Sequence, residues 1–224
     1  MTSRLKATAP LAIVIAVLAF IWVEFSLNFS FHWVSSGDLG NGLSLPSSFH
    51  LIVPAAFVSW GLFFAAGADN AALQKVLAAS VVGSLGGLFV MAAAPEAADL
   101  PDFWGIAAVV AVAAFVVVMA SVVGDWYYVP GIFGAFAATI FWWIATGLDN
   151  WAENGGGVGN SLKALGDPAT AGAGAFGGVL STPYVWVWFN ILVTLLIGCV
   201  LGLVSVKLSA MLTPAATPER EDAR

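Results

Sequence analysis

The chain predicts an all-α membrane protein of six transmembrane helices, and three observations carry that expectation. Apolar residues make up 60% of the chain and charged residues only 9%. The apolar residues run in blocks of roughly 20, the length that crosses a hydrocarbon core about 30 Å thick. Barrel-type alternation over ten-residue segments is absent, and lipid offers no water to satisfy an open backbone, so the blocks read as helices. The acidic balance, a formal charge of -6, belongs to loops and tail and calls for no nucleic-acid partner.

The first span is expected over residues 10–31. It follows Arg4 and Lys6 and is too long, and too poorly ended, for a removable signal peptide. A turn-rich loop at 34–47 without Lys or Arg leads to the second span at 48–67, and a short connection carrying Lys75 to the third at 76–94. An acidic PEAADLPD segment precedes the fourth, an Ala/Val run at 103–123, and Asp125-Trp126-Tyr127-Tyr128 is an interfacial link to the fifth at 128–148. Residues 149–184 form a Gly-rich loop that cannot build a core of its own. The sixth span is expected at 185–207, and the charged, Pro-rich tail to 224 is expected to be disordered.

Six spans place both termini on one side of the membrane. Arg4, Lys6, Lys75, Lys207, Arg220 and Arg224 then share a side, with only Lys163 opposite. The positive-inside rule makes that side cytoplasmic. The single Cys199 lies inside a span and cannot close an internal disulfide.

One span is written twice. LIVPAAFVSWGLFFAAGADN, from Leu51 to Asn70, returns in degenerate form from Tyr128 to Asn150. Both copies open with Val-Pro (Val53-Pro54, Val129-Pro130), place Phe57 and Phe133 three residues on, and close with Asp-Asn. The two copies would run in opposite directions through the membrane, making spans 1–3 and 4–6 inverted halves, an arrangement found in transporters and channels. Gly83-x-x-x-Gly87 in span 3 is matched by Gly198-x-x-x-Gly202 in span 6, small residues that let helices approach closely. Chance remains the alternative, since both motifs are common in membrane helices. Pro54 and Pro130 fit a first helical turn, while Trp60, Trp142 and Trp143 sit mid-span, between helices or at a constriction.

Polar groups inside the spans are the candidates for chemistry. Glu24, Asn28 and His32 recur every fourth residue and fall on one face of span 1, with His50 at the same level on span 2. An ionisable group there costs roughly 2.5–3.5 kcal/mol on insertion scales and is expected to face the bundle or a wet cavity. Three readings stay open: a vestibule wall for a polar solute, a structural hydrogen-bonded stripe, or a metal site of His32, His50 and Glu24 without motif spacing. The vestibule reading also takes in Phe57, Trp60, Phe133 and Trp142. Asn190 and Thr194 read as interhelical glue. No nucleophile elbow, phosphate loop, HExxH or paired CxxC is present, so neither an enzyme nor a cofactor is expected.

Phe57-x-x-Trp60 with Gly67 closing the span, and Val129-Pro130-Gly131-x-Phe133-Gly134-x-x-Ala137, resemble the bacterial inner-membrane family catalogued as domain of unknown function 1097. The resemblance covers roughly residues 10–148 and the last span. It implies membership of an uncharacterised membrane group and supplies no substrate; the 149–184 loop looks like an addition to the family's compact pattern, and Glu24-Asn28-His32 does not carry over from it. The expected function is a channel or simple transporter for a small polar, neutral solute, in contact with the lipid bilayer and compatible with a homo-oligomer. The alternative is a non-transporting subunit of a larger membrane assembly.

Overall fold

The computed structural model describes residues 2–30, 49–97, 104–145 and 184–213, which are mostly helical with no strand among them. His32, the 34–47 loop, the Gly-rich segment up to residue 183 and the tail from residue 214 lie outside the described residues. Among the described residues six α-helices succeed one another: α1 (Thr2–Asn28), α2 (Val53–Ala65), α3 (Asn70–Ala93), α4 (Trp104–Met119), α5 (Val129–Ala145) and α6 (Tyr184–Leu212). The last helix thus carries five residues that were expected to belong to the tail. α1, α3, α6 and α4 with its trailing 3₁₀ turn are long and apolar enough to cross a membrane; α2 and α5 are shorter. With 13 residues, α2 rises only about 20 Å, well short of the span expected over 48–67.

Local chemistry sets these boundaries. Pro54 sits in the first turn of α2, where its missing N–H leaves no intrahelical bond unmade. At the other end Ala66 N–H donates to Leu62 O and Ala68 N–H to Phe63 O, while Gly67 and Ala68 take φ of 120° and 58°. That left-handed pair reverses the chain. The Asp69 carboxylate then accepts from Ala72 N–H at 2.7 Å and caps α3. The Asp-Asn that ends the first repeat copy is therefore a helix start, and α2 and α3 run antiparallel through a tight turn.

The register of contacts gives the remaining directions. Along α3, a Cβ on Gly83 would meet Ile132 and Ala135, and one on Gly87 would meet Thr139, so α3 and α5 are parallel. Along α6, a Cβ on Gly198 would meet Ala56 and Ser59, and one on Gly202 would meet Phe63, so α2 and α6 are parallel. α2, α3, α5 and α6 form the inner quartet, with α1 outside against α6 and α4 outside against α3. The main core cluster joins Ile52, just before α2, and Ala55 of α2, Val90 and Met91 of α3, Trp142 and Trp143 of α5 and Val187 and Ile191 of α6 at one end of the bundle.

Burial recurs between the two halves of the chain at fixed offsets. The buried positions Ala72, Val76, Ala79, Ser80, Gly83, Ser84, Gly87 and Val90 of α3 correspond in order to Val187, Ile191, Thr194, Leu195, Gly198, Cys199, Gly202 and Ser205 of α6, all buried. Ala55, Ala56, Ser59 and Phe63 of α2 correspond to Gly131, Ile132, Ala135 and Thr139 of α5, all buried. Val14, Trp22 and Ser26 of α1 correspond to Gly105, Ala113 and Val117 of α4 in the same way. Contacts recur as well: Ser26 hydrogen-bonds Leu51, and the corresponding pair, Val117 and Tyr127, is also joined.

Candidate functional site

The polar chemistry concentrates where α2 has not yet begun. Phe49 to Ile52 are non-helical and run between α1 and α6, although the sequence from residue 48 on is as apolar as a helix would need. Non-helical backbone exposes N–H and C=O groups that hydrocarbon cannot satisfy, and it is tolerated at membrane depth only where protein or a water-filled cavity surrounds it. Here side chains from both flanking helices take up the exposed groups.

These bonds reach both faces of the lead and the first residue of α2. Asn190 Oδ1 accepts from His50 N–H at 3.2 Å, and Thr194 Oγ1 accepts from Ile52 N–H at 3.1 Å. Ser30 Oγ accepts from Leu51 N–H at 2.9 Å. Leu51 O takes bonds from Ser26 Oγ at 3.1 Å and Ser30 Oγ at 3.3 Å, and Trp22 Nε1–H donates to Val53 O at 3.2 Å. Ser26, Ser30, Asn190 and Thr194 are all buried. Thr194 hands its own proton to Asn190 O at 2.7 Å, which leaves its lone pairs free for Ile52.

Beside this clasp stands the His50 ring, half-buried. Its Nδ1 is buried without a hydrogen-bond partner among the described residues. An aromatic cluster closes over the lead, with Phe49 packed on Phe29 at 5.5 Å and on Phe189 at 5.6 Å and Trp186 on Phe189 at 5.8 Å. Such rings at a helix end suit the membrane–water boundary.

The residues singled out from sequence are distributed differently. Glu24 does not face the bundle: it is exposed, and its carboxylate accepts from Asn28 Nδ2–H at 3.0 Å on its own helix. The inward face of α1 is set by Trp22, Ser26 and Ser30, and Glu24, two residues from Trp22, is turned roughly 200° round the helix from it. Phe57 and Phe133 are exposed too, Phe57 stacked on Trp60 at 5.8 Å. Trp60 and Trp142 are buried, and Trp60 Nε1–H donates to Ser205 Oγ at 3.2 Å, tying α2 to α6. Asn190 and Thr194, read as glue between helices, instead hold irregular backbone. Sequence reading passed over Ser26 and Ser30, yet Trp22-Ser26-Ser30 has the same four-residue spacing as the stripe that was chosen. Of the potential metal ligands, His32 lies outside the described residues, and no cluster of three or more His, Cys, Asp or Glu occurs among the described ones.

Long apolar helices, with large residues such as Phe20, Phe115, Val116 and Phe141 turned outward, define an all-helical protein embedded in a membrane. Residues 12–210 match the family described as protein of unknown function (DUF1097), and the chain belongs to it. No curated protein and no solved structure matches the chain.

Proposed function

We propose that the chain is built of two inverted three-helix halves and passes a small, polar, neutral solute through the inner membrane of a bacterium, with both termini in the cytoplasm. Support for the inverted halves comes from the burial correspondence: α1, α2 and α3 match α4, α5 and α6 while α2, antiparallel to α3, opposes α5. Support for the orientation comes from charge, since the ends of α1, α3 and α6 that carry Arg4, Lys6, Lys75 and Lys207 lie away from the His50 lead.

The single observation that carries the transport reading is the extended lead of α2. Non-helical backbone between the two halves presents groups that a regular helix conceals, as the unwound segments of transporters do. His50 Nδ1, buried beside that backbone, supplies a donor or acceptor for a solute that displaces part of the clasp. A solute matched to this wall needs donors and acceptors of its own but no net charge. Reconstituted proteoliposomes challenged with urea, glycerol and a series of small amides test it. Uptake above that of empty vesicles for at least one of them, reduced in His50→Ala, is the expected result; equal uptake in both preparations across the series rejects the reading.

The rival, a non-transporting subunit, draws on α4, nine of whose sixteen residues are exposed. Stoichiometric recovery of one partner at native expression, together with absent flux, would favour it. Neither reading assigns a catalytic residue or a cofactor.

A further inference from the structure

A groove opens between α3 and α4 that none of the described residues fills. It has a volume of about 400 Å³ and lies among Val82, Gly86 and Phe89 of α3, Ala113 and Val117 of α4, and Tyr127. Its surface is apolar, because the one hydroxyl nearby, that of Tyr127, is spent on Val117 O at 2.9 Å. Water entering it would find no partners.

The other half of the chain shows what normally occupies such a place. The positions corresponding to Ala113, Val82 and Gly86 are Trp22, Ile197 and Leu201, and there the cluster built on Trp22 packs Val193, Ile197 and Leu201 together. An indole and a leucine have been replaced by a methyl group and a hydrogen. The space left is roughly that of one turn of a helix 10 Å across, too little to seat a partner helix. It suits a flexible hydrocarbon chain, and the groove opens towards the exposed residues Leu85, Val112 and Val116.

Charge gives the chain a direction. Lys75 lies on the groove face of α3, since positions 75, 82, 86 and 89 follow helical spacing. It stands two turns, about 10 Å, before Val82, at the end where Val82 packs with Tyr127 and Tyr128, and it is half-buried. We propose that this groove holds one acyl chain of an anionic phospholipid, whose phosphate is met by Lys75. The site stands whether or not the protein transports a solute.

The test is native mass spectrometry of the full chain released from nanodiscs containing equal phosphatidylglycerol and phosphatidylcholine of identical acyl chains. One lipid retained per chain is expected, with phosphatidylglycerol favoured about 10-fold. Lys75→Gln should reduce that preference to near parity while a lipid is still retained. Ala113→Trp, which restores the indole of the other half, should abolish retention of both lipids. Val116→Phe, at the exposed lip of the groove, should do the same without touching a buried position, so a folding failure of Ala113→Trp cannot mimic the result. Retention unchanged in Val116→Phe, or a preference unchanged in Lys75→Gln, overturns the proposal. So does a dimer without lipid that Val116→Phe dissociates, because the groove would then belong to a second copy.

Discussion

Gly83 meets the backbone of Ile132 as Gly198 meets the backbone of Ala56, two close helix approaches at corresponding positions of the two halves. A methyl group at either glycine would run into a carbonyl oxygen, which cannot rotate away as a side chain can. Gly83→Ala and Gly198→Ala should therefore each force α3 from α5, or α2 from α6, at a cost of about 1–3 kcal/mol. Gly61 is the control: a Cβ there meets nothing within 4 Å, so Gly61→Ala should be neutral or gain up to about 1 kcal/mol in helix propensity. Unfolding of the detergent-solubilised protein by added SDS reads all three. Equal stability of Gly61→Ala and Gly198→Ala would show that the approach is not tight.

Thr194 separates two magnitudes. If it were ordinary glue between membrane helices, its removal would cost about 0.6 kcal/mol on average. As the acceptor for a buried backbone N–H, that of Ile52, it should cost more, about 1–3 kcal/mol, because the donor is left without a partner. Thr194→Val keeps the shape and removes the oxygen. The same SDS titration should place it at or above 1 kcal/mol, and a value near 0.5 kcal/mol would return Thr194 to the role of glue.

What could be read from the chain was whatever repeats on a length scale of residues. Apolar blocks gave helices, Pro54 gave a helix start, and the paired GxxxG motifs gave two close helix approaches. The lead of α2 was not legible, because Phe49 to Ile52 are as apolar as the helix that follows and the cause of their extended course lies elsewhere, in Ser30, Asn190 and Thr194. A hydrogen bond between residues 140 positions apart leaves no local signature. Glu24 failed for a different reason. The cost of an ionisable group in lipid says that it must find relief, but not on which side of the helix, and near the end of α1 the relief comes from Asn28 and from the nearby boundary.

Glu24 consequently carries a prediction opposite to the one its chemistry first invites. Its carboxylate faces away from the quartet, and among the described residues its bonds are to Asn28 of its own helix, so Glu24→Gln should alter neither detergent stability beyond about 0.5 kcal/mol nor solute uptake into proteoliposomes. His50→Ala, in the same assay, should reduce uptake. A loss of flux in Glu24→Gln with unchanged flux in His50→Ala would move the pathway to the outer face of α1.

Orientation decides whether the clasp meets the outside or the cytoplasm, and it can be read without a transport assay. Cys199 is fully buried and its sulfur rests 3.8 Å from Ser80 Oγ, so Cys199→Ala should leave the fold intact and give a background free of thiols. In that background a single cysteine at Ser161, in the segment between α5 and α6, and another at Thr217, beyond α6, report the two ends of the last helix. Because α6 starts at the level of His50 and ends at the level of the basic residues, a membrane-impermeant maleimide added to intact cells should label the cysteine at residue 161. The one at residue 217 should react only after the membrane is opened. Reversed labelling would turn the clasp towards the cytoplasm and contradict the charge argument. Labelling of both from one side would mean that α6 does not cross, and the inverted halves would fall with it.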